Sequence, residues 1–280
     1  IMGRYYALHD GEDEAVASAL DEQYQPRFAG DTLPASDTGQ ALAIAERLDT
    51  LVGIFAIGQT PTGDKDPFGL RRSALGLLRI LIEKQLDLDL RTFIDTAANN
   101  FPAALDAASI GDPLFSFMME RLRAWYLDAG YEIQVFEAVL ARQPHRPLDF
   151  DQRMRAVRTF RALPEADSLA AANKRIRNIL RKADTVIPAA YDTALLQEPA
   201  EQALAAALQA LDTQTRPLFL QRDYTNALCQ LAALQVPVDT FFDDVMVMTD
   251  DVALRDNRLA LLQALSELFL QVADISLLQG

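Results

Sequence analysis

The chain has 280 residues, half of them hydrophobic, and a formal net charge of -14 at pH 7. A chain of this length and hydrophobicity can bury a large core, which excludes disorder of the whole and favours two folding units. No run of about 18 uncharged apolar residues appears, and the first residues lack a signal-peptide pattern, so we expect a soluble cytoplasmic protein without a membrane partner. The single cysteine, Cys229, excludes a disulfide within the chain, and its apolar neighbours predict a small core residue.

Helical periodicity runs through almost the whole chain and alternating β-branched runs are scarce, so the predicted fold class is all-α. Residues 143–150 contain two prolines and little helical pattern, which predicts a linker between a domain at 1–142 and a domain at 151–280. In the first domain, a short helix ends near Gly11, and further helices are predicted at 12–24, 40–57, 68–84, 90–99, 114–128 and 133–142. In the second part, helices are predicted at 150–162, 166–182, 198–213, 224–234, 236–242 and 251–273.

The charge of the chain is unevenly distributed. Residues 151–183 carry nine Lys and Arg against three Asp and Glu, a net charge of +6, whereas the segments on either side are each at -10. An acidic body does not attract nucleic acid through its overall field, so binding to a polyanion would require a local patch of cations. The basic segment is therefore the best candidate for such a patch.

The densest basic run lies in the predicted helix 166–182. At about 100° per residue, its apolar residues share one face, namely Ala172, Ile176, Ile179, Leu180 and Ala183. The opposite face carries Lys174, Arg177, Asn178 and Arg181, with Arg175 and Lys182 on the flanks. This pattern is typical either of a solvated helix face or of a nucleic-acid contact surface.

Two further constellations lie in the first domain. The loop from Gly58 to Gly63 lacks the Lys-Ser/Thr pair and the preceding strand of a phosphate-binding P-loop, so it is interpreted as an ordered interhelical loop. Its neighbours Lys65, Arg71 and Arg72 are candidates for contact with an RNA backbone, with a purely structural role as the alternative.

His9, Asp10 and Asp49 resemble part of the metal site of histidine-aspartate phosphohydrolases, but the further histidines of that site are missing, so no metal and no catalytic residue are assigned.

Three stretches together resemble the β subunit of bacterial glycyl-tRNA synthetase. They are residues 5–12, residues 48–72 with Asp66-Pro67-Phe68-Gly69-Leu70-Arg71-Arg72, and residues 171–176. Residues 241–248, 258–259 and 272–278 are also similar to that family. The resemblance implies the C-terminal part of the subunit: an HD-like helical domain without catalytic function at 1–142, truncated at its N-terminus, the linker 143–150, and a DALR-type anticodon-binding domain at 151–280.

The resemblance also implies a function in protein biosynthesis. The family ligates glycine to its tRNA as a tetramer of α and β subunits; the α subunit holds the catalytic site with ATP and Mg, and the β subunit contributes tRNA binding. We therefore expect glycine tRNA and the α subunit as partners, no cofactor in this fragment, and no catalysis by the fragment alone. The expected contacts to tRNA come from Arg153, Arg155, Arg158, Lys174, Arg175, Arg177, Asn178, Arg181 and Lys182.

Two alternatives remain open from the residues themselves. The first is a helical adaptor whose basic run pairs with an acidic protein surface, and the second is a metal-dependent phosphohydrolase built on His9, Asp10 and Asp49. Salt dependence of tRNA binding distinguishes the adaptor, because neutralised phosphates release counterions. Metal content distinguishes the phosphohydrolase.

Overall fold

The structure is a computed structural model that describes residues 2–102, 105 and 107–279. These residues form thirteen α-helices and four short 3-10 turns, and no β-strand occurs among them, which confirms the predicted all-α class. The chain divides into two compact units. The N-terminal unit comprises residues 1–130 and 145–148, and the C-terminal unit comprises residues 131–144 and 149–280.

The helices follow one another with short connections. In the N-terminal unit they are α1 (Met2–His9), α2 (Glu14–Glu22), α3 (Asp37–Ala56), α4 (Leu70–Glu83), α5 (Leu90–Ala98) and α6 (Gly111–Asp128). The remaining helices are α7 (Ile133–Leu140), α8 (Pro147–Arg161), α9 (Ala166–Lys182), α10 (Pro199–Leu220), α11 (Tyr224–Leu231), α12 (Gln235–Asp244) and α13 (Val252–Leu270). A final 3-10 segment, here called the C-terminal turn, spans Ile275–Leu278.

A buried arginine organises the core of the N-terminal unit. Helix α3 packs against α2, α4 and α5, and Arg47 on α3 donates hydrogen bonds to the carbonyl oxygens of Gln23 at 2.8 Å and Ala43 at 3.0 Å. Burial lowers the pKa of the Arg47 guanidinium. A Cβ on Gly76 would lie 3.0 Å from Arg47 Nε and 3.3 Å from Pro26 Cγ, so glycine permits the close approach of α4 to this arginine.

The core of the C-terminal unit is built around aromatic rings and one buried ion pair. The rings of Phe160 and Phe269 lie 6.3 Å apart between centroids. The ion pair joins Arg258 to Glu201, both almost fully buried. Burial alone would raise the pKa of Glu201, but Arg258 and the backbone N–H groups of residues 198 and 197 lower it overall.

The predicted linker 143–150 is wrong over its second half, because residues 147–150 form the first turn of α8. Pro147 occupies the first helical position, where its fixed φ suits the helix and its missing N–H would have had no intrahelical partner. The compact units also divide differently from the predicted domains, since α7 belongs to the C-terminal unit. There the Phe136 ring lies 5.2 Å from the Phe150 ring, and Ala138 O accepts a hydrogen bond from Asp274 N–H at 2.9 Å.

Cys229 is exposed, so its prediction as a core residue is wrong. The buried residues of α11 include Ala227, Leu228 and Leu231. A step of about 100° per residue carries the next side chain, that of Cys229, away from this buried face. Apolar neighbours in the sequence are therefore a poor guide to the burial of Cys229. Its angular position on the helix determines its exposure.

Candidate nucleic-acid interface

Helix α9 begins at Ala166 and ends at Lys182, as its periodicity predicts. Its buried side packs against α12, α13 and the C-terminal turn. Leu169, Ala172 and Ile176 lie on this buried side, together with Asn173, whose Nδ2 donates to Leu169 O at 2.9 Å. The packing fixes the rotation of α9 about its axis, and with it the direction of every charged side chain on the other side.

The other side of α9 is a cationic surface. Lys174, Arg177, Asn178, Arg181 and Lys182 are all exposed. Lys174 and Lys182 make no ion pair or hydrogen bond with any described residue, and Arg181 Nη2 donates only to Asn178 Oδ1, at 3.3 Å. These side chains keep their donors available for an external anion. We refer to these five residues as the α9 cationic face.

Arg177 differs from its neighbours because the fold holds it in place. Its Nη1 lies 3.0 Å from Asp274 Oδ2 and 3.2 Å from Ser276 Oγ, while the side chain is 57% exposed. Asp274 is itself fixed: it caps the C-terminal turn, and its Oδ1 accepts from Ser276 N–H at 3.2 Å. The contacts of Nη1 thus fix the orientation of the Arg177 guanidinium, and its other nitrogens make no hydrogen bond with a described residue.

Arg175 lies on the flank of α9 and contacts α12. Its guanidinium carbon is 4.2 Å from the centroid of the Phe242 ring. A cation over an aromatic face is attracted by the ring quadrupole. Arg175 therefore has a contact within the fold, although the residue remains exposed.

The arginines of α8 are engaged within the C-terminal unit. Arg153 Nε lies 2.7 Å from Asp149 Oδ2, its Nη1 donates to the carbonyl oxygens of Gln271 and Val272 at 2.7 Å each, and its Nη2 donates to Tyr224 Oη at 3.0 Å. The side chain is only 15% exposed. All three nitrogens of Arg153 are thus used by the fold, a role that sequence reasoning did not assign to it.

Tyr224 completes this buried network. Its hydroxyl donates to Asp149 Oδ1 at 2.7 Å, and burial, followed by that hydrogen bond to a carboxylate, raises the pKa of Tyr224 to about 12. Farther along α8, Arg155 Nη2 lies 2.8 Å from Asp151 Oδ2, and the Arg158 guanidinium carbon lies 4.6 Å from the Tyr131 ring centroid. Arg155 and Arg158 remain exposed, so contact with tRNA stays a prediction for both.

A small groove adjoins the α9 cationic face. It has a volume of about 210 Å³ and lies between α9, the last turn of α13 and the C-terminal turn. Its walls combine apolar side chains, among them Leu180 and Phe269, with the polar groups of Arg177, Asp274 and Ser276. The polar residues contributed by the C-terminal turn were not identified from sequence, although the Asp-x-Ser spacing of a capped turn is a readable signal for them.

The candidate residues of the N-terminal unit form a separate group. Lys65 and Arg72 are exposed, and Arg71, in the first turn of α4, donates to Gly63 O in the preceding loop. The loop is ordered by reciprocal backbone hydrogen bonds between Thr62 and Lys65, at 3.2 and 2.9 Å, as predicted. Arg71 and Arg72 also line a groove of about 560 Å³. Their contact with an RNA backbone stays a prediction.

The residues considered for a metal site do not form one. His9 ends α1 and Asp49 lies within α3, and both are exposed, as is Asp10. Across residues 2–102, 105 and 107–279 no group of three or more His, Cys, Asp or Glu side chains is arranged to hold an ion. Nor does the described part of the chain contain a helix that is long and apolar enough to cross a membrane.

Two family models match different parts of the chain. Residues 169–275, which contain the α9 cationic face, match a family model described as a DALR anticodon binding domain. The fold and this match define a helical domain of the class found in aminoacyl-tRNA synthetases. Residues 1–141 match the model described as glycyl-tRNA synthetase beta subunit. The chain belongs to the glycyl-tRNA synthetase β subunit family.

Individual relatives support the same assignment. The chain is 57% identical over 279 residues to the glycine-tRNA ligase beta subunit of Citrobacter koseri. It is 55% identical, again over 279 residues, to the proteins of the same description from Escherichia coli O1:K1 and Escherichia fergusonii. Each comparison covers 100% of this chain and 40% of the relative. The chain therefore spans about two fifths of the length of these curated relatives.

Proposed function

We propose that this chain is the tRNA-binding portion of a glycine-tRNA ligase β subunit and that its C-terminal unit binds the anticodon region of glycine tRNA. The observation that carries the proposal is the α9 cationic face, which is exposed and lies within the residues that match the anticodon-binding model. In a chain of net charge -14, this face is the local patch that a polyanion requires.

The chemistry of the face suits a single-stranded RNA loop. Lys174, Arg181 and Lys182 supply ammonium and guanidinium donors for phosphate oxygens. Arg177 and Asn178 supply planar donor and acceptor groups of the kind that read unstacked bases. Because RNA sequence is read mainly on unstacked bases surrounded by phosphates, a mixed surface of this kind matches an anticodon loop better than a duplex.

The expected tRNA-binding residues outside the α9 cationic face have different roles in the proposed interface. Arg155, Arg158 and Arg175 extend the surface as secondary contacts, since each is exposed but already has a partner in the fold. Arg153 acts as a structural residue that holds α8 to the end of α13. Lys65, Arg71 and Arg72 contribute weaker backbone contacts from the N-terminal unit.

The proposed reaction belongs to the complete enzyme. Glycylation of tRNA with ATP and Mg²⁺ takes place on the α subunit, with which the complete β subunit forms a heterotetramer in the cytoplasm. This chain supplies tRNA affinity and needs no cofactor of its own. Alone, it does not glycylate tRNA.

The experiment compares binding of this chain to glycine tRNA and to a tRNA that differs only in its anticodon, at two salt concentrations. We expect tighter binding of glycine tRNA, with a salt slope of roughly 0.7–0.9 per phosphate contacted. With three or four contacts from the α9 cationic face, log Kd rises by about 2–4 per tenfold increase in salt.

The other outcomes are informative. Equal, salt-sensitive binding of both tRNAs leaves a backbone-binding patch and contradicts anticodon recognition. Absence of any tRNA binding contradicts the proposal and favours the helical adaptor, whose basic face would pair with an acidic protein.

A further inference from the structure

The groove of about 560 Å³ in the N-terminal unit is large enough for a small organic ligand. It is lined by the loop at residues 26–30, by one face of α4 and by the C-terminal half of α6. Its volume falls within the roughly 300–1,000 Å³ of clefts that bind small molecules. We refer to it as the α4–α6 groove.

Helical spacing explains why arginines line this groove. On α4, Arg72, Arg79 and Glu83 follow one another at intervals of seven and four residues, so they share one face of the helix. On α6, Arg121 and Trp125 are four residues apart and also share a face. Each helix therefore contributes one stripe of side chains to the groove, and both stripes contain arginine.

The loop that forms the third wall is held by its own hydrogen bonds. Asp31 Oδ2 accepts from the backbone N–H of Arg27 at 2.8 Å and from Arg27 Nε at 3.0 Å. Arg79 Nη2 on α4 donates to Asp31 O at 3.4 Å. The wall that carries Phe28 is thus tied to α4, and Phe28 itself is 61% exposed.

Arg121 has no acceptor within the fold. Its Nε is buried without a hydrogen-bond partner, and its guanidinium makes no ion pair or hydrogen bond with any described residue. The guanidinium carbon lies 5.6 Å from the centroid of the Phe117 ring. Arg79, in contrast, pairs with Glu83 through an Nε–Oε1 contact of 2.6 Å. Because buried donors in native proteins almost always have an acceptor, Arg121 is the cation in this groove that an external anion would engage.

Aromatic side chains line the same groove. Trp125 lies one turn after Arg121 on α6, and its ring is positioned by an edge contact with Tyr126 at 5.0 Å between centroids. Phe28 adds a second aromatic surface from the loop. Aromatic rings beside a guanidinium favour a ligand that carries both a planar ring and a negative charge.

An acceptor completes the lining. Asp128, the last residue of α6, is exposed, and its carboxylate makes no ion pair or hydrogen bond with a described residue. A carboxylate accepts from hydroxyl or amino groups and repels phosphate. The ligand that fits this lining therefore has hydroxyl or amino donors in addition to its ring and its charge.

We propose that the α4–α6 groove binds a free nucleoside phosphate. The phosphate oxygens accept from Arg121 and Arg72, the base contacts Trp125 and Phe28, and Asp128 accepts from the hydroxyl groups of the ribose. The three parts of such a ligand match the three kinds of side chain in the groove. Since every base has a face that can stack, the aromatic surface accepts purines and pyrimidines alike.

The site is separate from the proposed binding of tRNA by the α9 cationic face, so either proposal can fail alone. An RNA backbone fits the α4–α6 groove less well than a free nucleotide. Its successive phosphates would pass the carboxylates of Glu83 and Asp128, which repel them.

Trp125 is the single tryptophan of the chain, so its fluorescence reports directly on the groove. The whole chain is titrated with AMP, GMP, CMP and UMP and with their triphosphates, with excitation at wavelengths that nucleotides do not absorb. We expect a saturable change of fluorescence. Adenosine, which lacks the phosphate, should bind roughly tenfold or more weakly than AMP. Inorganic phosphate, which lacks the ring, should also bind roughly tenfold more weakly than AMP.

The decisive variant is Arg121→Met, which keeps the apolar stem and removes the guanidinium. Its affinity for AMP should fall roughly tenfold or more. Its thermal unfolding midpoint should not fall, because the guanidinium has no acceptor in the fold to lose. A purely structural arginine would give the opposite pattern.

A matched control lies two residues farther along α6. Arg123→Met removes the same charge, but Arg123 does not line the groove, and its Nη1 lies 3.8 Å from Glu120 Oε1. Its affinity for AMP should stay within about twofold of the wild type, because exposed charges are screened by salt.

The aromatic contact is tested by calorimetry, since replacing Trp125 removes the fluorophore. Trp125→Ala should weaken AMP binding by roughly tenfold, the usual effect of losing a stacked ring. Trp125→Phe keeps a ring and should bind AMP more tightly than Trp125→Ala.

Three results would overturn the nucleotide site. The first is the absence of saturable binding of every nucleotide by both fluorescence and calorimetry. The second is equal weakening by Arg121→Met and Arg123→Met, or equal affinity for AMP and inorganic phosphate, since either indicates a general attraction of anions. The third is a loss of affinity for glycine tRNA in Arg121→Met without nucleotide binding by the wild type, which would place the groove in an RNA-binding surface and leave the proposed function intact.

Discussion

Helices α8 and α9 carry similar numbers of basic residues but use them differently. On α8 each arginine contacts a partner within the C-terminal unit: Arg153 with Asp149, Arg155 with Asp151, Arg158 with the Tyr131 ring and Arg161 with Asp167. On α9, Lys174 and Lys182 have no partner among the described residues. The comparison shows that the density of basic residues does not by itself tell how many cations are available to an external anion. The number of cations without a partner in the fold decides it.

The difference has a local cause in the sequence. On α8 an acid stands four residues before Arg153 and before Arg155, the spacing at which side chains meet on a helix. Between Leu169 and Lys182 there is no Asp or Glu. The sequence of α8 therefore supplies acids that pair with its arginines, whereas the second half of α9 has no acid to pair with its cations.

The largest effect expected from this comparison is on stability, at Arg153. Arg153→Met keeps the apolar stem but removes the guanidinium, so Asp149 Oδ2 and the carbonyl oxygens of Gln271 and Val272 lose the donor that they accept from. Hydrogen bonds to charged groups contribute about 1.5–3 kcal/mol, so the free energy of unfolding should fall by about 2–3 kcal/mol. Urea denaturation followed by circular dichroism measures this change.

The matched variant is Arg155→Met, which removes a guanidinium that is 62% exposed and forms a single ion pair. The guanidinium of this pair is exposed although Asp151 is buried, so the free energy of unfolding should fall by about 1 kcal/mol, less than in Arg153→Met. Equal destabilisation by the two substitutions would contradict the distinction drawn between them.

The next effect concerns RNA affinity, on α9. Lys174→Gln combined with Arg181→Gln removes two charges from the α9 cationic face, and the salt slope of tRNA binding should fall by roughly 1.4–1.8. The free energy of unfolding should change by less than about 0.5 kcal/mol, because neither side chain is buried. Fluorescence anisotropy with labelled tRNA at several salt concentrations gives the slope.

The corresponding pair on α8 is Arg155→Gln with Arg158→Gln, which removes the same charge from side chains that already have partners. A smaller change of slope than on α9 supports the comparison. A larger change would place the main phosphate contacts on α8.

A third prediction concerns pH and the network around Arg153. Because the pKa of Tyr224 is raised to about 12 from an ordinary value of 10.0, the folded protein prefers the neutral phenol. The contribution of Tyr224 to stability is complete below pH 10 and is lost as the pH rises towards about 12. Denaturation of the wild type and of Tyr224→Phe at pH 8 and pH 11 should show the larger loss in the wild type.

At pH 8, Tyr224→Phe should be less stable than the wild type by about 1 kcal/mol, because it lacks the hydroxyl that bonds to Asp149. The other tyrosines are present in both proteins and cancel in the comparison. Parallel pH dependence in the two proteins would show that Tyr224 ionises as it does in water.

The outline of the fold could be predicted from the sequence, because helical phase is a local property. The bounds of α9 were predicted correctly, since its apolar stripe is regular and a proline precedes it. Helix α10 was predicted to end at 213, but it continues to Leu220 with Pro217 inside it. A proline in the pattern normally ends a helix, and here the helix continues beyond it.

The candidate site was only partly predictable. The exposure of Lys174 and Arg181 follows from the position of Ile176 on the helix. The anchoring of Arg177 does not follow, because Asp274 is 97 residues away in sequence and meets it only through packing. The partners of Arg153 at Gln271 and Val272 are 118 and 119 residues away, whereas its pairing with Asp149 was readable from the spacing of four.

The smallest expected effect tests whether Arg175, on α9, behaves like the paired arginines of α8 or like the unpaired cations of its own helix. Its guanidinium has a partner within the fold, the Phe242 ring, as the arginines of α8 have partners. The residue nevertheless lies beside the α9 cationic face. Arg175→Gln should lower the free energy of unfolding by about 0.5–1 kcal/mol, the usual contribution of an exposed cation over a ring. Phe242→Leu removes the ring but keeps the charge; if Arg175 is mainly structural, both variants should lose similar stability and keep the tRNA salt slope. A slope that falls in Arg175→Gln but not in Phe242→Leu would place Arg175 among the residues that bind phosphate.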